Sequence, residues 1–151
     1  MAGPPYIAVI GPGDATPEQV AHAEAVGRGL AEAGAVVVCG GLGGVMAAAC
    51  RGAKDAGGTT VGILPGDDRS QANAYVDVAI ATGLGEARNA LVVRAADALV
   101  AVGGEYGTLS EIALALKTGT PVVGIGSWAI DGVVTAADAG EAVRRALQPS
   151  A

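Results

Sequence analysis

No phenylalanine occurs in this chain, aromatic residues make up only 3% of it, and a single histidine is present. A core without large rings has to be built from Ala, Val, Leu and Ile. Small side chains of that kind pack helices closely onto a sheet, which suits a layered α/β fold better than a thin all-β sandwich. With His22 alone, neither a histidine-based mechanism nor a zinc site has the residues it needs. On a helix face with polar neighbours, His22 reads as a solvated side chain. Basic residues are scarce as well: nine Lys and Arg against fifteen Asp and Glu leave a net charge of −6. Nucleic-acid domains show a basic patch, so no nucleic-acid partner is expected. No apolar run approaches the ~18 residues of a membrane span. The start, Met1-Ala2-Gly3-Pro4-Pro5, lacks the basic and apolar stretches of a signal peptide, so a cytoplasmic location with no membrane partner is expected. Two cysteines, Cys39 and Cys50, stand without metal-ligand spacing and are expected as buried free thiols in a reducing compartment.

Several nucleotide and hydrolase signatures are missing too. No Gly-Lys pair occurs, which removes a Walker P-loop, and no G-x-S-x-G elbow supports a hydrolase triad. Gly11-Pro12-Gly13 opens like a dinucleotide fingerprint, but Thr16 stands at the third glycine and the second strand ends in Cys39, not an acid. A standard nicotinamide enzyme is therefore not expected.

What remains is rich in glycine: 25 of 151 residues, within a chain that is 51% apolar. The length fits one domain over residues 1–151. Continuous apolar runs at 6–10, 35–39, 60–64, 98–102 and 121–125 read as buried strands, with a further strand through Val76, Val78 and Ile80. Thr16-Pro17-Glu18 marks a helix start. Helices are expected over 45–56, 84–96 and 108–118, and Asp138 with Glu141 makes a capping box before the last one, which runs to about Leu147 ahead of a frayed tail at 148–151. Strands alternating with helices, each strand apolar throughout, indicate an α/β fold: a Rossmann-like parallel sheet of six or seven strands with helices on both faces.

The glycines cluster where strands give way to helices. Gly11 and Gly13, then Gly40, Gly41, Gly43 and Gly44, then Gly103, Gly104 and Gly107 all fall at the carboxyl edge of the expected sheet. Ligands of open α/β sheets bind at that edge. Glycine lets a ligand approach backbone amides, and a helix start behind it supplies unpaired N–H groups for an anion. Tight turns alone are the plainer account of any one pair. Two clusters at one edge point to a phosphate-bearing ligand.

The stretch GGEYGTLSE at residues 103–111 resembles the PGGxGTxxE signature of the Lonely Guy (LOG) family, SLOG-type Rossmann-like proteins often labelled lysine decarboxylases. GGLGGVM at 40–46, GGTTVGILP at 57–65 and EARN at 86–89 resemble that family's other segments in the same order, so the likeness spans nearly the whole chain. It implies hydrolysis of the N-glycosidic bond of an adenine-type (cytokinin) nucleoside 5′-monophosphate to free base and ribose 5-phosphate. Arg88 and Glu111 would then be the catalytic pair, with the glycine loops, Tyr106 and Thr108 holding phosphate and ribose. Glu111 would stabilise positive charge on the sugar or activate water, and Arg88 would anchor substrate or hold Glu111 through a bidentate pair. No cofactor or metal is implied.

Other accounts stand beside these. Thr108-Leu109-Ser110-Glu111 also has the spacing of a capping box, Arg88 fits a solvated helix position, and Tyr106 either covers a ligand or closes its loop. The chain departs from the signature at Gly103 (Pro), Glu105 (Gly) and Asn89 (Lys), placing an acid in an anion loop and removing a cation. Glu105 and Asn89 motivate the alternative to hydrolysis, a non-catalytic carrier or sensor of a phosphorylated nucleotide-like ligand, such as the molybdenum cofactor, on the same fold. By analogy a homodimer is expected, through the apolar helix at 109–116.

Overall fold

A computed structural model describes residues 3–148; the last three residues of the expected frayed tail lie outside the described residues. The strands are β1 (Tyr6–Ile10), β2 (Val36–Cys39), β3 (Thr60–Leu64), β4 (Val78–Ala81), β5 (Ala98–Val102), β6 (Val122–Ile125) and β7 (Val133–Thr135). The helices are α1 (Pro17–Glu32), α2 (Val45–Asp55), α3 (Asn89–Ala95), α4 (Tyr106–Lys117) and α5 (Ala139–Ala146). All strand pairings are parallel, in the order β4-β3-β2-β1-β5-β6-β7. The chain builds outward from β1 to β4, returns to lay β5 against the free side of β1, and then builds outward again. The sheet therefore reverses direction between β1 and β5, and the crevice at that point is where an open α/β sheet receives its ligand.

Two layers cover the sheet. One core joins Ile7, Val9, Val37 and Val100 to Val26 and Leu30 of α1, Ala49 of α2 and Ala142 of α5. The other joins Ala8, Ile10, Leu99 and Ala101 to Val92 of α3 and Ile112 and Ala115 of α4. Strand residues alternate between the two layers, so both faces of β1 and β5 are dry. That is why these strands read as unbroken apolar runs.

Local signals explain most of the element boundaries. Thr16 Oγ1 accepts from Gln19 N at 3.2 Å and Gln19 Oε1 accepts from Thr16 N at 3.0 Å, a reciprocal cap with Pro17 in the first turn. Asp138 accepts from Glu141 N at 2.8 Å, and Glu141 reaches back to Ala137 N at 2.9 Å. Two expectations change. The helix expected over 84–96 is broken into a 3-10 turn, Gly85–Arg88, and the shorter α3, because Gly85 enters at φ 58°. The fourth strand begins at Val78; Val76 packs instead beside the two cysteines. Among the described residues no helix is long and apolar enough to cross a membrane.

Candidate functional site

A cleft of about 210 Å³ opens at the sheet's reversal point. Pockets for drug-sized ligands span roughly 300–1,000 Å³, so this one is smaller than the site of a whole drug-sized ligand. Of the residues singled out from sequence, Gly11, Gly13, Gly40, Arg88, Gly107, Thr108 and Glu111 line it. They come from the end of β1, the end of β2, the turn before α3, and the first turns of α4.

The remaining glycines lie outside the lining. Gly41, Gly44 and Gly103 have φ of 81°, 63° and 68°, which only glycine adopts cheaply. Gly44 also lies against the carbonyl oxygen of Pro12, and Val45 N donates to that oxygen at 3.1 Å. The first amide of α2 is thus consumed by the β1 loop. Gly43 is exposed and Gly104 packs under the Trp128 indole. Gly13 and Gly107 differ. Neither has a positive φ, and an added Cβ would meet nothing at Gly107 and only Met46 Cε at 4.0 Å at Gly13. No feature of the fold requires glycine there, and both face the cleft.

The structure corrects the capping-box account of Thr108 and Glu111. α4 starts two residues early, with Glu105 as its N-cap residue and no side-chain cap. Thr108 is therefore the third helical residue, and its Oγ1 is buried without any hydrogen-bond partner. The first-turn amides of α4 have no helical carbonyl to bind. Glu111 lies one turn further on and is only 7% exposed. Burial pushes its carboxyl up to about 8; Arg88 opposes the rise and Glu86 adds to it.

Arg88 is half-buried at the end of the 3-10 turn and is not a solvated helix residue. Its guanidinium donates to Asn89 Oδ1 and, at 3.4 Å, to Gly40 O, while Nε is buried and unpartnered. Asn89 Nδ2 in turn donates to Ser110 Oγ at 3.1 Å. The expected bidentate pair with Glu111 does not form: among the described residues no salt bridge involves Arg88, whose fork is spent on the end of β2 and on Asn89. Arg88 still acts on Glu111 through space.

Comparison with known proteins decides the family. The profile of the SLOG cluster4 family matches residues 4–150. The chain belongs to the SLOG cluster4 family. A structure described as the molybdenum cofactor binding protein from Rippkaea orientalis superposes with a TM-score of 0.92, at 37% identity over 96% of each chain. The Moco carrier protein from Chlamydomonas reinhardtii gives 0.87, at 40% identity over 95% of each chain. An uncharacterized protein of Archaeoglobus fulgidus is 49% identical over 119 residues, 79% of this chain and 78% of that one.

In this SLOG cluster4 chain the cleft also includes residues that sequence reasoning did not choose for it. Ile10, Leu42 and Met46 supply an apolar wall, and Glu86, Asn89 and Glu105 a polar rim. The apolar wall carries no local signal, since strand ends and helix starts commonly bear such residues. Tyr106 lies outside the lining, 85% exposed, its ring stacked on Trp128 with centroids 6.3 Å apart. Trp128 Nε1 donates to Glu105 O at 3.2 Å, which fixes the loop ahead of α4. Cys39 and Cys50 are free and buried, with Sγ atoms 3.4 Å apart, as expected of structural thiols. His22 is half-buried on α1, away from the cleft.

Proposed function

We propose that this chain holds and carries a phosphorylated, nucleotide-like cargo of the molybdenum cofactor type, without cleaving it. The observation behind the reading is the likeness, across nearly the whole fold and at 37–40% identity, to proteins described as binding or carrying that cofactor. The chemistry of the cleft supports it. Unpaired amides at the start of α4 and the positive charge of the half-buried Arg88 suit an anionic head group. A carboxyl that stays protonated until about pH 8 is poorly suited to stabilise positive charge on a sugar during N-glycosidic cleavage. Retention without turnover is what a carrier needs. With nine basic residues in a chain of net charge −6, nucleic acid stays outside the proposed ligand set.

A second reading, phosphoribohydrolase, keeps one observation: Arg88 and Glu111 do share the cleft wall. Purification from molybdate-supplied cells, followed by native mass spectrometry and elemental analysis, separates the two. Carriage predicts bound molybdenum and a small-molecule mass that denaturation releases. Absence of molybdenum, together with release of base from AMP or a cytokinin nucleotide, would favour the hydrolase. In that case Glu111→Gln should cut turnover by ~100-fold.

A further inference from the structure

Among the described residues, three buried side-chain polar atoms lack a hydrogen-bond partner, and two of them, Arg88 Nε and Thr108 Oγ1, belong to residues lining the same cleft. Buried polar atoms are nearly always paired, and an exception needs a physical explanation, of which a partner outside the chain is one. The carboxyl of Glu111, which lines the cleft with them, takes part in no hydrogen bond or ion pair among the described residues. Arg88 Nε can only donate, and a hydroxyl can donate as well. We propose that Glu111 meets the ligand as a hydrogen-bond donor, completing with Arg88 Nε and Thr108 Oγ1 a donor-lined floor that selects a multi-oxygen, acceptor-only anion. The inference rests on reading the cleft as an anion holder and adds the group that decides which anions enter, and when.

The charges around Glu111 favour that role. Arg88 is the one cation of the lining, against Glu86 on the turn before α3 and Glu105 ahead of α4. β5 and β6 carry no titratable side chain, Asp14 in the β1 loop is exposed and outside the lining, and Arg94 is exposed near the C-terminal end of α3. Ionised, Glu111 would be a third carboxylate facing an incoming anion, and the buried one of the three. Protonated, it removes that repulsion and adds a donor, the use to which buried carboxyls are put elsewhere. Burial holding it near 8 makes the protonated form dominant at neutral pH. Affinity for a dianion is then level below pH 8 and falls with a limiting slope of about tenfold per pH unit above it, one proton being linked to binding.

Two sources offer this chemistry, a phosphate ester and a free oxyanion, and calorimetry with AMP and with sulfate from pH 7 to 9.5 distinguishes them. AMP binding that weakens roughly 30-fold across that range supports the proposal. Equal behaviour of sulfate assigns the floor to free oxyanions, and AMP alone binding assigns it to phosphate esters. Glu111→Gln, which keeps an N–H donor without titrating, should bind within about threefold of the unmutated protein at pH 7 and lose the pH dependence. Binding that is level to pH 9.5, or a Gln variant that keeps the slope or binds nothing at pH 7, overturns the donor role while leaving carriage intact. No binding of either probe at any pH overturns both. Carbon-13 carboxyl shifts of the ligand-free, unmutated protein give a second measurement that needs no variant: a Glu111 midpoint near 8 supports the proposal, and one below 6 defeats it.

Discussion

At the scale of single residues, Glu111 costs the ligand-free fold something that the unfolded chain does not bear. Its carboxyl titrates near 4.5 when exposed and at about 8 when folded, because burial disfavours the charge. The folded state therefore binds this proton more tightly, and the stability contributed is complete below 4.5 and lost as pH climbs to about 8. The loss is on the order of a few kcal/mol. Urea midpoints at pH 5 and pH 8 should fall for the unmutated protein and change much less for Glu111→Gln; equal changes would place the carboxyl elsewhere. Gly107 gives a complementary test. With helical backbone and open space around it, Gly107→Ala should leave folding unchanged or raise stability by up to ~1 kcal/mol, while its methyl enters the cleft. Affinity for AMP should then fall at least about tenfold, a loss of ~1.4 kcal/mol. A drop in stability with normal binding would mean that the glycine serves only the turn.

Among the elements, α1 and α2 cross so closely that glycines stand where side chains usually interdigitate. A Cβ on Gly27 would strike the carbonyl oxygen of Ala49, and one on Gly52 that of Glu24. Backbone cannot yield as a flexible side chain can, so Gly27→Ala and Gly52→Ala should each cost ~1–3 kcal/mol by forcing the helices apart. Gly29→Ala meets only Val143 Cγ2 at 3.0 Å and should cost less; three equal denaturation midpoints would contradict the close crossing. Element scale is also where the sequence was easiest and hardest to read. β1 and β5 were legible to the residue because burial makes each an unbroken apolar run closed by a glycine, and β3 because Val61, Ile63 and Leu64 stand between Thr59 and the Pro65-Gly66 turn. β7 has three residues, two of them exposed, so burial left no run to notice. The cleft was legible through its glycines and through Arg88 and Glu111. The start of α4 was not, because Thr108 and Glu111 carry the spacing of a cap, and only the path of the Gly103–Gly104 turn shows that the helix has already begun. That two-residue shift turns an ordinary capping hydroxyl into an orphan donor.

For the molecule as a whole, the case for self-association moves away from α4. Ile112 and Ala115 of that helix are buried, and Leu114 and Leu116 are partly buried against the core of their own chain, so only part of its apolar face stays open. β4 is a sheet edge with unpaired ladder groups on one side. Val78 and Ile80 pair in register with Val61 and Ile63 and so point to the α3 side, yet they remain 48% and 46% exposed because α3, only seven residues long, does not reach over them. Leu84 and Leu91 add exposures of 53% and 40% on the segment that follows β4. An uncovered apolar edge is a liability unless something pairs with it, and a strand meeting its own copy about a two-fold axis is the self-complementary solution. We propose a homodimer through β4 on these grounds. Sedimentation should give a dimer at micromolar concentration, and Ile80→Asp a folded monomer whose circular dichroism is unchanged. A monomer without the substitution would leave the β4 edge bare in solution, whereas a dimer that survives Ile80→Asp would place the contact on another face.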